Sequence, residues 1–362
     1  MRTRHLVPTT LAVLALVAGG ARPAAAQFYT QRNLVSDGAV PAEHTDPDLV
    51  NAWGLAAGPT SPWWVADNGT DLSTLYNGNT GAKAALVVSV PGAPTGLVFN
   101  GDTTAFMVTN GTQTAAARFL FATESGQILA WSNQVPPTSE ARVVVDNSAG
   151  GAVYKGLAVA TTEDGRSFLY ATNFRAGTVE VYDAAFNPVT TGGFVDRRLP
   201  RGYAPFGIQH VGRLIYVTYA LQDEDKEDDV PGMGHGFIDA FDTSGTFVRR
   251  VASRGVLNSP WGLAMSPGDF GKFSNALLVG NFGDGRIHAF DPRHVLGNGQ
   301  YAKIGPLHSS GGAPIAIEGL WALQFGNGSQ AGPANVLFFT AGPEDESHGL
   351  FGSLAPVKPQ DK

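Results

Sequence analysis

Apolar residues in this chain fall in short alternating runs broken by Gly, Pro and Asn, the pattern of half-buried strands rather than of amphipathic helices. One phrase recurs, made of a turn residue, an aromatic or small residue, Gly and then an apolar run. It reads Ala52-Trp53-Gly54-Leu55, Pro94-Thr95-Gly96-Leu97, Tyr154-Lys155-Gly156-Leu157, Pro205-Phe206-Gly207-Ile208, Pro260-Trp261-Gly262-Leu263 and Ile317-Glu318-Gly319-Leu320. The six glycines lie 42, 60, 51, 55 and 57 residues apart. A second apolar run follows each phrase, at 63–67, 105–109, 168–173, 214–219, 277–281 and 336–340. A third run closes on an aromatic residue and Asp in Tyr182-Asp183, Phe241-Asp242 and Phe290-Asp291, and on Trp131-Ser132 in a fourth copy. The aromatic-Asp pairs read as turn starters.

Three strands and two turns repeated at this period predict a β-propeller, and six copies predict six blades. The recurrent Gly suits an innermost strand, where backbones crowd round one axis and a side chain would be in the way. The sixth copy shows three strands and lacks a fourth. A strand-like segment at 28–35 precedes the first copy, and pairing it into the last blade would close the ring and remove an open edge. The expected fold is therefore all-β: a six-bladed β-propeller closed by an N-terminal strand in the last blade, one domain over 27–355 with a polar tail at 356–362.

Residues 1–26 read as a secretory signal peptide, with Arg2 and Arg4, an apolar run from Leu11 and the small residues Ala24-Ala25-Ala26 before Gln27. That predicts a secreted or periplasmic protein with no membrane span once the leader is removed. Removal changes the formal charge from -7 to -10, with 21 basic against 31 acidic residues. An acidic surface repels phosphate backbones, which disfavours nucleic acid as a partner. The 46 Gly and 23 Pro argue against a helical bundle, and the absence of Cys excludes disulfides, thiolate metal sites and a thiol nucleophile.

The repeat resembles the NHL-type six-bladed propellers. More closely, the chain is similar to a family of exported bacterial propellers described only as conserved and hypothetical. The resemblance is carried by Asp46-Pro47-Asp48-Leu49-Val50-Asn51-Ala52-Trp53-Gly54, Trp64-Val65-Ala66-Asp67-Asn68-Gly69, Gly202-Tyr203-Ala204-Pro205-Phe206 and Leu278-Val279-Gly280-Asn281-Phe282-Gly283-Asp284-Gly285. It implies the fold and implies no reaction.

In a propeller, loops entering the first strand and loops leaving the second share one face, and ligands commonly bind there at the channel mouth. That rule collects Trp53, Tyr203, Tyr219 and Trp261 as candidate ligand-facing aromatics, with the inner core as their other reading. It also collects Asp67, Asn173, Asn281 and Glu318. Six-bladed lactonases hold one Ca²⁺ at the mouth with acid and Asn ligands, and by that analogy these four would hold it; the Asn residues read equally as turn residues. His348, which follows three acids, and Glu318 are the candidate catalytic groups. The segment Asp223-Glu224-Asp225-Lys226-Glu227-Asp228-Asp229 holds six acids in seven residues. Asp223, Asp225, Asp228 and Asp229 form either a solvated acidic loop or an oxygen-rich cation site. No nucleophile elbow, phosphate loop or His-Glu-x-x-His motif is present. Three functions remain open. The first is a binding module for a small molecule, glycan or envelope protein. The second is a Ca²⁺-dependent lactonase-like hydrolase, and the third is an envelope scaffold.

Overall fold

The computed structural model describes residues 28–190 and 193–357. The signal peptide expected at 1–26 and the tail from 358 onward lie outside them. Among the described residues no helix is long and apolar enough to cross a membrane.

Six antiparallel sheets follow one another along the chain. Blade one runs Ala52–Ala56, Trp63–Asp67, Leu72–Tyr76 and Val88–Ser89; blade two runs Pro94–Phe99, Phe119–Thr123, Gln127–Trp131 and Arg142–Asp146. Blade three has three strands, Tyr154–Thr161, Ser167–Asn173 and Thr178–Tyr182. Blade four runs from Tyr203–Val211 to Phe247–Ser253, and blade five from Pro260–Met265 to Tyr301–Pro306. Blade six comprises Leu320–Phe325, Leu337–Ala341 and Leu350–Pro356, and is completed by the N-terminal strand Tyr29–Ser36. That strand pairs antiparallel with Leu350–Pro356, placing Tyr29 opposite Pro356 and Ser36 opposite Leu350. The ring is closed as the sequence predicts, so no blade presents an open inner pair of strands to solvent.

Blades pack face to face through side chains that alternate along each strand. Between blades one and two, Trp64 stacks on Phe119 at 4.0 Å and tilts against Trp131 at 4.6 Å. Such large buried rings supply much of the apolar area that holds neighbouring sheets together. Two of the three aromatic-Asp pairs act as turn starters, Asp183 accepting the Ala185 and Asn187 amides and Asp242 those of Ser244 and Thr246, whereas Asp291 lies inside the strand Ile287–Val295.

All six innermost strands slip register by one residue at the start of the strand, in five of them just after the first residue of the repeated phrase. The recurrent Gly lies in this bulge. A Cβ added at Gly54, Gly207 or Gly262 would collide with the carbonyl oxygen of Thr95, Trp261 or Trp321 in the following blade. Close backbone approach at the axis therefore selects glycine.

Two expectations require correction. The run at 105–109 is not the second strand of blade two; Met107–Thr109 pairs with Thr114–Ala116 in an inserted hairpin, and Phe119–Thr123 is the second strand. Both segments are apolar runs, but Met107 is 44% exposed, whereas Phe119–Thr123 is buried on both faces, as a strand between two blades must be. The hairpin has its own purpose: the Phe106 amide donates to the Ala184 carbonyl and its ring packs on Phe186, beside the blade that lacks a fourth strand. The sixth glycine phrase is also three residues out of step. Gly319 precedes its strand in a left-handed conformation at φ 64°, Trp321 takes the ring position, and Ala322 stands where the other blades have Gly.

Candidate functional site

The shared register places Trp53, Thr95, Lys155, Phe206, Trp261 and Trp321 at equivalent positions round the axis. Two residues further on, Leu55, Leu97, Leu157, Ile208, Leu263 and Leu323 form an aliphatic ring that leaves a channel constriction of about 20 Å³. Above it, Trp53 stacks on Trp321 at 3.6 Å, and Phe282 covers the other face of Trp321 at 4.0 Å. The Trp261 ring meets Trp321 edge-on at 5.9 Å. Apolar side chains therefore plug the channel at the aliphatic ring and at the stacked tryptophans.

Lys155 is the charged member of the upper ring and is 1% exposed. Its ammonium donates to Glu124 and, at 2.9 Å, to Asp228, and lies 5.1 Å over the Trp53 ring. Glu124 directly follows the second strand of blade two, and Asp228 comes from the acidic loop of blade four. The network continues through Asn68, which donates to Glu124 at 2.9 Å, and through Asn51, which donates to Asn68 at 3.0 Å and Glu346 at 2.7 Å. Trp321 Nε1 donates to Asn51, and Trp261 Nε1 to the Lys155 carbonyl, each at 3.0 Å. Groups from all six blades are thus joined at one mouth.

Burial alone would strip the proton from Lys155, but Glu124 and Asp228 outweigh it and hold its pKa above the ordinary lysine value. Burial pushes Glu346 up to about 7 and Asp229 up to about 6. A carboxyl that binds its proton more tightly in the folded state makes that state lose stability as pH rises, here from about 4.5 to about 7. Glu346→Gln is therefore expected to raise the melting temperature at about pH 8 by roughly 2 °C and to leave it unchanged near pH 4.5, as read by scanning calorimetry.

The four residues expected to hold Ca²⁺ each make bonds of their own, and none bonds to another of the four. Asp67 is fully buried and accepts the Thr74 amide at 2.8 Å. Asn173 accepts the Ala176 amide and donates to Glu180. Asn281 accepts the Asn258 amide and donates to the Val256 carbonyl. Glu318 is exposed and accepts the Glu344 amide. Each serves local bonds, and among the described residues no three of His, Asp and Glu are placed to hold a metal. Of the candidate catalytic groups, His348 Nδ1 lies 2.6 Å from Asp37, which holds its pKa above the usual histidine value, while Glu318 bonds elsewhere.

Among the expected ligand-facing aromatics, Trp53 is 1% and Tyr219 is 2% exposed, so neither presents a stacking surface. Trp261 is half-buried in the plug, and Tyr203 packs edge-on against Phe237 at 4.7 Å. The acidic loop divides. Asp223 accepts the Glu227 amide, Asp225 is exposed, Glu227 pairs with Arg175, and Asp228 turns to Lys155. Asp229 packs beside the Ser259 hydroxyl, whose hydrogen bond offsets part of the rise that burial causes in its pKa.

On the same face, between blades five and six, opens a cleft of about 410 Å³. Phe282 forms part of its wall with Gly283, Gly319 and Gly342, and Asp284, Glu318 and Asp345 also line it. Sequence reasoning misses Glu124 because the run at 105–109 stands in for the true second strand of blade two. A lysine at the phrase position that holds Trp, Thr, Phe or Glu in the other copies was the signal that could have singled out this centre.

No family model matches the chain. Two uncharacterized proteins of Acanthamoeba polyphaga mimivirus are similar to it over most of their length. One is 36% identical over 332 residues, 89% of this chain and 78% of the relative. The other is 32% identical over 335 residues, 89% of this chain and 84% of the relative. Their viral source lends no support to the bacterial, exported character expected from the resemblance. Among solved structures, a Bacteroides thetaiotaomicron protein of unknown function superimposes with a TM-score of 0.57 at 10% identity, covering 90% of this chain and 76% of its own. The PQQ-bound aldose sugar dehydrogenase of Streptomyces coelicolor gives 0.50 at 14% identity, covering 91% and 100%. These likenesses show the propeller fold alone.

Proposed function

We propose that this chain, which belongs to one family with the two mimivirus proteins, is a binding module that takes a small ligand at the mouth of its propeller. The observation that carries this reading is the cleft of about 410 Å³ between blades five and six, within the size range of small-molecule sites. Its wall is held in place, because Phe282 is stacked on the ring plug and the Asn258 carbonyl accepts the Gly283 amide of the same turn. The hydrolase reading relied on Asp67, Asn173, Asn281 and Glu318 sharing a cation, and their bonds run elsewhere. The scaffold reading has one observation in its favour, the apolar filling of the channel. Export is proposed with the binding function, on the leader-like residues 1–26.

The test is a fragment screen by saturation-transfer NMR on the natural chain and on Ala316→Trp. Ala316 is exposed at the cleft, so the indole fills the space without entering the core. Fragments that bind the natural chain are expected to lose their signal in the variant. A screen without binders, or binders indifferent to Ala316→Trp, would favour the scaffold.

A further inference from the structure

The aliphatic ring divides the channel. Beyond it, on the face opposite the mouth, opens a vestibule of about 210 Å³. Its walls come from the residues that follow the ring along the innermost strands. At the first of these positions stand Ala56, Val98, Ala158 and Ala264 in four blades, and Gln209 and Gln324 in the other two. Small apolar residues satisfy the fold at this level, so packing does not call for the two glutamines.

Their hydrogen bonding sets them apart as well. Among the described residues five glutamines are half-buried. Gln127 donates to Asp146, Gln222 to the Phe174 carbonyl and Gln300 to Ser253. Gln209 and Gln324 make no side-chain hydrogen bond within the described residues, and both line the vestibule. A half-buried carboxamide without a protein partner forgoes bonds that a ligand can restore.

The vestibule is otherwise uncharged. No Asp, Glu, Lys or Arg lines it, and burial holds the pKa of the third polar residue, His210, below the ordinary histidine value. Phe99 closes one side, set edge-on against Phe119 at 5.4 Å with the Arg118 guanidinium 4.7 Å over its ring.

A carboxamide offers a donor and an acceptor side by side, and its complement is a cis amide, whose N–H and C=O also lie side by side. We propose that the vestibule is a second ligand site, separate from the mouth cleft, and that it takes one small neutral cyclic amide or imide whose edges pair with Gln209 and Gln324. A charged ligand would find no counter-charge in the lining. A monosaccharide would bring more hydroxyl groups than three polar side chains can meet and would press the rest on Ala56, Val98 and Ala158.

The test is a saturation-transfer NMR titration with three probes. Uracil carries two amide edges, 1,3-dimethyluracil keeps the carbonyls and lacks both N–H donors, and methyl α-glucopyranoside stands for a sugar. The chains compared are the natural one, Gln209→Ala/Gln324→Ala and Ala316→Trp. Alanine is what three other blades carry at this position, so the double variant folds, and an unchanged melting temperature verifies it. Uracil is expected to bind the natural chain and Ala316→Trp alike and to weaken about tenfold in the double variant; the dimethyl compound is expected to bind the natural chain about tenfold more weakly than uracil. Equal binding of dimethyluracil, no weakening in the double variant, loss in Ala316→Trp, preference for the glucoside, or no uracil binding overturns the proposal. Ala316 lines the mouth cleft and neither glutamine does, so a ligand lost in one variant and kept in the other is assigned to one site, and the two readings fail separately.

Discussion

Replacing Lys155 by methionine is expected to lower the free energy of unfolding by about 3 kcal/mol at around pH 8, read from urea denaturation followed by tryptophan fluorescence. Methionine fills nearly the same volume, so the loss is electrostatic rather than a cavity. The ammonium is buried, whereas its partners are not equally so: the Glu124 side chain is 28% exposed and that of Asp228 is 70% exposed. Asp228 can turn to water, leaving Glu124 and the already strained Glu346 as uncompensated charges in a desolvated mouth. Protonation of Glu346, whose pKa burial already raises to about 7, relieves this charge, so the deficit should shrink toward about pH 5. A loss below about 1 kcal/mol, or one independent of pH, would mean that Lys155 contributes packing alone.

Gly207→Ala is expected to cost about 3 kcal/mol or more, because the new methyl runs into the Trp261 carbonyl oxygen in the next blade. Backbone cannot move aside as a flexible side chain can, and a shift at one innermost strand displaces both neighbours in a closed ring. Gly150→Ala is the matched control. Nothing lies within 4 Å of its added Cβ, so its effect should stay within about 0.5 kcal/mol. Equal melting temperatures for the two variants would show that the repeated glycine is not selected by close approach.

The sequence made the ring legible because each blade repeats a local pattern, and a local pattern is what a linear reading detects. Even the closing strand could be inferred, from a blade short of one member. The errors came where local pattern and burial diverge. The segment around Val108 looks like a blade strand because it is a strand, but only one of its faces is covered. Gly319 looks like the inner glycine because it serves a different turn three residues early, while Ala322 does the inner glycine's duty. The Lys155 centre was harder to read. Its partners Glu124, Asp228 and Glu346 come from three different blades, so only the closed ring sets them round one ammonium. The expected cation set illustrates the converse: Asn173 and Asn281 lie at corresponding strand ends, yet each is tied to the loops beside its own strand.

The pairing of Tyr29–Ser36 with Leu350–Pro356 fixes an order of events during synthesis. The strand that leaves the ribosome before every other described strand has no partner until the final blade is made. Blades one to five can assemble on sequential neighbours as they emerge. The leading strand must wait, unpaired, through more than three hundred residues of translation. Sealing the ring is therefore the last step and a long-range one, slowed by the closure of a very large loop. A nascent chain held just short of Leu350 would keep its first strand open to other partners, and release would seal it.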